Sequence, residues 1–179
     1  TSAFVADVLP GDPEVTDLAF VKGARQWIGG PRGLPLFKPP YGRITAINMN
    51  TGEHSWMVAN GVGPVDNPAI AHLNLGKLGV PGRPSPLLTK TLLFIGEGQT
   101  NLRPGGRVPV GMPIEIATNS GGPMFRAYNK SNGNIEWEVE LEAGTTGAPI
   151  SYMFEDEQYI VVAIGDRLHT PELVAFKLP

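Results

Sequence analysis

Apolar side chains recur at every second position in short segments of this chain, and neighbouring segments are separated by polar or glycine-containing turns. The clearest pair spans residues 43–59, where the alternation is interrupted by Asn50, Thr51 and Gly52. A two-residue period indicates a half-buried strand. Asn and Gly tolerate the positive φ of a short hairpin loop. The pattern therefore predicts a β-hairpin over residues 43–59.

This hairpin pattern is repeated further along the chain. The second copy places an Ala, a Gly and a Trp at matching positions, so that Ala46, Gly52 and Trp56 align with Ala127, Gly133 and Trp137. A third, shorter copy covers residues 174–177. A unit that recurs at a fixed period predicts a repeat architecture.

Further apolar runs at 86–89, 91–96, 147–154, 158–164 and 172–178 predict additional strands. The order of strands gives a loop-rich lead-in at 1–42, a hairpin ending one unit at 43–59, a full four-stranded unit at 83–142 and an incomplete unit at 143–179. Residues 17–27 are compatible with a short helix. Four-stranded antiparallel units in series are the blades of a β-propeller. We therefore predict an all-β partial propeller of about two four-stranded antiparallel blades.

Composition supports this class and excludes several functions. The chain has 179 residues, of which 41% are hydrophobic and 17% charged, as in a folded domain. Its 23 glycines and 18 prolines favour many short strands joined by turns. A net charge of −3 without a basic stripe argues against nucleic acid as a partner. Because cysteine is absent from the sequence, thiolate metal sites and thiol nucleophiles are excluded.

The chain begins at Thr1 without an initiator Met, so either a leader has been removed or the chain is a piece of something longer. Because a propeller needs several blades to close and about two are predicted here, we expect the chain to be the end of a longer ring. We expect its partners to be the remaining blades, in the same protein or in another chain. We also expect the edge strand at 172–178 to pair natively with an N-terminal strand of the full-length protein.

Residues 46–56, Ala-Ile-Asn-Met-Asn-Thr-Gly-Glu-His-Ser-Trp, resemble the tryptophan-docking motif of quinoprotein dehydrogenases of the membrane glucose dehydrogenase type. Residues 35–42 and 144–149 also resemble that family, and the resemblance covers about residues 30–179. Asn48 and Asn129 stand where the family usually has Asp. The resemblance implies an eight-bladed ring that holds pyrroloquinoline quinone (PQQ) and Ca²⁺ on its axis.

By resemblance, the complete protein is a periplasmic enzyme, with attachment to the inner membrane only through segments outside this chain. It would oxidise a glucose-like aldose or an alcohol and pass electrons to a respiratory quinone acceptor. The family's general base and calcium ligands lie in earlier blades, so we expect no catalytic or metal-binding residue here and little cofactor affinity or activity in this chain alone. The alternative is a non-enzymatic propeller segment that serves as a protein-binding scaffold. The long loops at 60–82 and 97–123 and Lys38 favour the enzyme, because a scaffold would need none of them.

Four residues are candidates for contact with the cofactor. Lys38 is either the partner of a quinone carboxylate or a solvated loop lysine. Phe37 either covers the quinone ring or fills the hub. Gly165 and Asp166 either allow close approach of the backbone to the cofactor or form an ordinary turn.

Other candidates have structural interpretations. Trp56 and Trp137 are expected to pack between neighbouring blades. Trp56 is expected to contribute less stability, because the blade beside it is taken to be incomplete. The three histidines, His54, His72 and His169, show no zinc-like spacing.

Overall fold

The computed structural model describes residues 4–27, 30–80, 82, 84–98, 122–165 and 169–177. Within them the chain forms strands β1 (Phe4–Pro10), β2 (Phe20–Trp27), β3 (Arg43–Ile47), β4 (His54–Ala59), β5 (Leu87–Leu88), β6 (Leu92–Gly96), β7 (Met124–Asn129), β8 (Ile135–Glu140), β9 (Ile150–Phe154), β10 (Glu157–Ile164) and β11 (Glu172–Lys177). Short 3₁₀ turns lie at Pro31–Gly33 and Ala71–Leu73. No helix in the described part is long and apolar enough to cross a membrane.

The strands form antiparallel sheets, and the all-β prediction is confirmed. The hairpins β1–β2 and β3–β4 each make a two-stranded sheet. The order β5-β6-β7-β8 makes a four-stranded sheet, and β9-β10-β11 makes a three-stranded one. The connections within the two larger sheets join sequential neighbours, as in successive blades of a propeller.

The predicted hairpin repeat is present in the strand registers. Ala46 pairs with Trp56 in β3–β4, and Ala127 pairs with Trp137 in β7–β8. In both hairpins the register shifts by one residue directly after the paired Ala. A β-bulge at the same place bends both hairpins in the same way.

Asparagine side chains organise the turns of these hairpins. The Asn48 carboxamide oxygen accepts the backbone N–H of Asn50 at 2.9 Å, and Asn129 accepts that of Ser131 at 2.9 Å. Such side-chain-to-backbone bonds need an acceptor oxygen, which Asp and Asn both offer. Asn at these positions therefore closes the turn as Asp would.

The central strands β6 and β7 are buried on both faces because each face packs against a different neighbour. Phe94, Phe125 and Ala127 belong to one cluster with Ile160, Val162 and Ile164 of β10. Leu93, Ile95 and Tyr128 form the other cluster, against Ile44 and Val58 of β3–β4. Alternate residues of a strand point to opposite faces. The continuous apolar run at 91–96 is thus explained by two interfaces.

The helix expected at residues 17–27 is wrong. Residues 20–27 form β2, which pairs with β1 from Phe4↔Trp27 to Pro10↔Phe20. The backbone of Asp12 accepts the N–H groups of Val15 and Thr16 and closes the intervening turn. Pairing with a distant strand outweighs the weak local preference for helix.

Candidate functional site

The connections between strands divide the molecule into two ends. Tight turns lie at one end, here called the turn end, and join β3–β4, β5–β6, β7–β8 and β9–β10. The opposite end, called the loop end, carries the longer connections 60–86, 97–123, 141–149 and 165–171. Contacts join these connections: Thr145 forms an isolated bridge with Ile164, and the Asn60 amide donates to the Gly96 carbonyl at 2.8 Å. The loop end is therefore where residues from several sheets meet.

A buried ion-pair network lies at the loop end of the four-stranded sheet. Arg126 is only 2% exposed, and its Nη1 donates to Glu97 Oε1 at 2.7 Å. Its Nε donates to Glu138 Oε2 at 2.8 Å. Glu97 is itself 4% exposed, whereas the Glu138 side chain is 44% exposed. The guanidinium therefore connects a buried carboxylate to one at the surface.

A second set of hydrogen bonds ties this network to the β3–β4 hairpin. Asn60, 4% exposed, follows β4 and accepts the Tyr128 hydroxyl at 3.3 Å through its Oδ1. Its backbone donates to Gly42 and accepts from Val80. Every polar group of Asn60 is thus bonded, as burial requires. Asn60 thus joins the β3–β4 hairpin to the four-stranded sheet, close to the ends of β4 and β6.

Burial and charge shift the pKa values of this network. Burial disfavours the charged Arg126 guanidinium, but its bonds to Glu138 and Glu97 outweigh this, and the pKa is raised. The hydrogen bond from Arg126 lowers the pKa of Glu138. Burial raises the pKa of Tyr128. These shifts favour a charged Arg126, an ionised Glu138 and a protonated Tyr128 at neutral pH.

Phe37 and Lys38 lie in the segment that enters β3 at the loop end. Both side chains are exposed, Phe37 to 51%. The segment is anchored just beyond them, where the Tyr41 N–H donates to the Leu78 carbonyl at 2.7 Å. Within the described residues no hydrogen bond or ion pair joins Lys38 to the buried network. The cation is thus presented to solvent on a fixed backbone.

Gly165 follows β10 at the loop end and is buried, and its N–H donates to the Gly144 carbonyl at 3.1 Å. A Cβ at this position would lie 3.0 Å from Pro171. The residue that lies close to the Gly165 backbone is therefore Pro171 of the same chain. The other member of this predicted pair, Asp166, lies outside the described residues.

Trp56 projects from β4 onto the turn of the neighbouring four-stranded sheet. Its indole Nε1 donates to the Lys130 carbonyl at 2.8 Å. Its ring covers Gly133, where an added Cβ would come within 2.7 Å of Trp56 Cε3. The expectation that Trp56 faces an incomplete unit is wrong, because the sheet beneath it has all four strands.

Trp137, the equivalent residue of the second repeat, has a more exposed setting. It lies edge-on to Phe176 of the three-stranded sheet, with ring centroids 5.2 Å apart, and edge-on to Phe125 at 6.2 Å. It remains 39% exposed. Trp137 therefore contacts the last sheet through aromatic edges.

Metal-type ligands come together at one place among the described residues. His169 Nε2 lies 3.0 Å from Glu172 Oε1, and its Nδ1 lies 3.9 Å from Glu142 Oε2. The two carboxylates face opposite nitrogens of one imidazole ring, so the cluster brings together only two oxygen-bearing side chains. Calcium prefers six to eight oxygen ligands. This cluster therefore does not fit a calcium site.

Sequence reasoning missed the residues of the buried network. The sequence places Asn60 and Glu97 only at the starts of the two long loops, 60–82 and 97–123. The available signal was Arg126, a charged residue between the apolar Phe125 and Ala127 of a buried strand. A buried charge requires a partner, but the sequence alone does not say which acid supplies it.

The chain was also compared with known proteins. The family model described as "Glucose/ethanol/alcohol dehydrogenase, beta-propeller domain" of the PQQ type matches residues 11–160. The chain belongs to the PQQ β-propeller family. The family resemblance and the partial-propeller prediction are thereby confirmed, because the sheets described above fit part of such a ring.

Several characterised dehydrogenases are similar to the chain. Quinate/shikimate dehydrogenase (quinone) of Acinetobacter baylyi is 30% identical over 153 residues, covering 78% of this chain and 15% of the relative. Quinoprotein glucose dehydrogenase A of Acinetobacter calcoaceticus is 26% identical over 178 residues, covering 90% and 20%. Quinoprotein glucose dehydrogenase of Escherichia coli is 29% identical over 135 residues, covering 75% and 14%. The chain thus spans about a fifth or less of the length of these relatives.

Proposed function

We propose that this chain forms part of a PQQ-dependent dehydrogenase that oxidises a glucose-like aldose or an alcohol and delivers the electrons to a quinone acceptor. The observation that carries the proposal is the family match over residues 11–160. The similar proteins named above are quinone-linked or quinoprotein dehydrogenases. They differ in substrate, so the class of reaction is better supported than the sugar or alcohol it acts on.

Two exposed side chains at the loop end match the charge and the aromatic character of PQQ. PQQ is a planar aromatic polyanion, and Lys38 offers it an exposed cation while Phe37 offers an exposed apolar ring. When bound, PQQ supplies the oxidant for the carbinol. This chain's part would be to hold one carboxylate and to cover one side of the ring. Gly165 would contribute only backbone, because Pro171 occupies the space beside its Cα.

The remaining parts of the proposed enzyme would come from other blades. The general base and the Ca²⁺ ligands belong there in our proposal, since the Glu142–His169–Glu172 cluster is of the wrong type for calcium. We therefore propose that residues 1–179 alone bind PQQ weakly and turn over no substrate. A periplasmic location, with membrane attachment through other segments, completes the proposal.

The test uses the full-length protein that contains this sequence. The purified protein would be incubated with PQQ and Ca²⁺, and dye reduction would be measured with glucose, quinate and glycerol. We expect turnover that requires PQQ. The 1–179 chain, treated identically, should show neither turnover nor saturable binding. Micromolar PQQ binding by the 1–179 chain would contradict the shared-site proposal, and absence of PQQ binding by the full-length protein would favour the scaffold alternative.

Lys38 provides a sharper test of the cofactor contact. Lys38→Gln removes the cation, and an exposed ion pair is worth up to about 1 kcal/mol, or about fivefold in Kd. Lys90→Gln, an exposed lysine in the β5–β6 turn at the turn end, is the matched control. We expect weaker PQQ binding in the first variant only. Equal PQQ affinity in both variants would assign Lys38 to solvent.

A further inference from the structure

Two long connections of the loop end leave their strands side by side. One begins at Asn60, directly after β4, and the other begins at Glu97, directly after β6. The Asn60 side chain donates to the carbonyl of Gly96, the residue before Glu97. The starting points of the two connections are therefore hydrogen-bonded to each other across two sheets.

The Glu97 carboxylate occupies the space between these connections. A Cβ added at Gly61, in the first connection, would lie 3.3 Å from the Glu97 carboxyl carbon. A Cβ added at Gly122, where the second connection returns to β7, would overlap Glu97 Oε2. Arg126 holds the other oxygen, Oε1, at 2.7 Å. The Glu97 carboxylate, held by a buried cation, therefore leaves no room for a side chain at Gly122 and little room for one at Gly61.

Packing alone does not call for a charge at this position. Leu93 and Ile95, on the same strand, pack toward the β3–β4 hairpin with apolar side chains. Removing a carboxylate from water is costly, and apolar replacements of buried ion pairs are often equally stable. A charge-assisted hydrogen bond is directional, so the bond from Arg126 fixes the position of the Glu97 carboxylate beside Gly61 and Gly122.

We infer that Glu97 is a positioning residue that holds the start of the 60–86 connection in place relative to Gly122, directly before β7, and so determines how tightly the sugar or alcohol substrate binds. The inference rests on the proposed function, because it requires substrate to be bound at the loop end. Glu97 itself is buried and acts through the connections that it separates.

The test is Glu97→Gln in the full-length protein, which keeps the size of the side chain and removes its charge. We expect KM for the substrate that is oxidised to rise about tenfold, because loss of binding contacts that are equal in the ground and transition states raises KM without lowering kcat. The kcat and the Kd of PQQ should change less than about threefold, which is under 1 kcal/mol. Glu136→Gln is the control, since Glu136 also accepts a side-chain hydrogen bond but lies in β8 beside the turn end.

Hydrogen exchange gives a readout that does not depend on activity. The N–H groups of Leu78, Gly79 and Val80 bond back to residues 60–62. Glu97→Gln should accelerate exchange at these amides, whereas Glu136→Gln should not. Unchanged exchange would overturn the inference whether or not the protein is an enzyme. An inactive wild-type protein would instead contradict the proposed function alone.

A merely structural role for Glu97 predicts a different result. It would lower the melting temperature and the fraction of active enzyme while leaving KM unchanged, and this outcome would refute a positioning role. If Glu97→Gln does not fold, Glu97→Asp replaces it, because this change keeps the charge but shortens the side chain that reaches Arg126. We expect a smaller rise in KM and faster exchange at residues 78–80. No change in either would overturn the inference.

Discussion

The contact between Trp56 and the neighbouring sheet can be measured with a matched pair of glycine substitutions. Gly52 and Gly133 occupy the same position in the two hairpin turns, with φ of 75° and 77°. Above Gly133 lies the Trp56 ring, whereas no described atom lies within 4 Å of a Cβ added at Gly52. Gly52→Ala and Gly133→Ala therefore share their backbone strain and differ only in the clash with Trp56.

The difference in free energy of unfolding follows from these contacts. Left-handed backbone costs a non-glycine residue about 1–2 kcal/mol in both variants. Gly133→Ala must also displace the indole, which loses its bond to the Lys130 carbonyl, worth about 1 kcal/mol, and part of its packing. Complete loss of a buried Trp costs about 3–5 kcal/mol, and Trp56 is only partly buried. We expect Gly133→Ala to cost about 1–3 kcal/mol more than Gly52→Ala.

Urea denaturation of the 1–179 chain provides the measurement. With an m value of about 2 kcal/mol/M, the extra cost lowers the urea midpoint by about 0.5–1.5 M. In a Trp56→Ala background this extra cost should disappear, because the partner of the clash has been removed. Equal midpoints for Gly52→Ala and Gly133→Ala would show that Trp56 does not contact the turn in solution.

Three further predictions follow from other contacts. Trp56→Phe should cost about 1 kcal/mol in urea melts through loss of the indole N–H bond; Trp137→Phe, which keeps an aromatic edge toward Phe176, should cost less, and the reverse order would contradict the structure. Because the folded-state pKa of Tyr128 is raised, its contribution to stability is complete below about pH 10 and is lost as the pH rises further. The melting temperature should thus fall less steeply above pH 10 in Tyr128→Phe than in the wild type, and parallel profiles would argue against a buried hydroxyl. In β11, alternate amides should exchange rapidly in a monomer, since β10 is its only partner in the described sheets, or be protected by association at high concentration; uniform protection in a verified monomer would refute the open edge.

The sequence was sufficient for the hairpins because their information is local. Period-two alternation, a turn glycine and a Trp at a fixed place lie within one short segment, and β3–β4 and β7–β8 form the predicted hairpins, with equivalent registers. The continuous apolar run of β6 was also interpretable, since burial on both faces has a simple sequence signature. In these elements the local preference and the tertiary environment agree.

The β1–β2 hairpin and the buried network required information that no local segment contains. Residues 20–27 become a strand only because residues 4–10 lie beside them. Glu97 and Arg126 are far apart in sequence and meet because β6 pairs with β7 within one sheet, and Asn60 joins them only when the β3–β4 hairpin packs against that sheet. The position of Arg126 between apolar residues indicates that it needs an acidic partner. Only the folded structure shows that the partners are Glu97 and Glu138.

Tight turns lie at one end of the sheets and long connections at the other, and this separation affects how such chains can evolve by insertion. At the turn end, an inserted residue would alter the register and send every later side chain of the strand to the opposite face. At the loop end, β10 pairs with β11 and β6 pairs with β7, both antiparallel, although the connections 165–171 and 97–123 differ in length. Doubling a flexible connection costs only about 0.6 kcal/mol. New recognition segments can therefore be acquired at one end while the other preserves the framework.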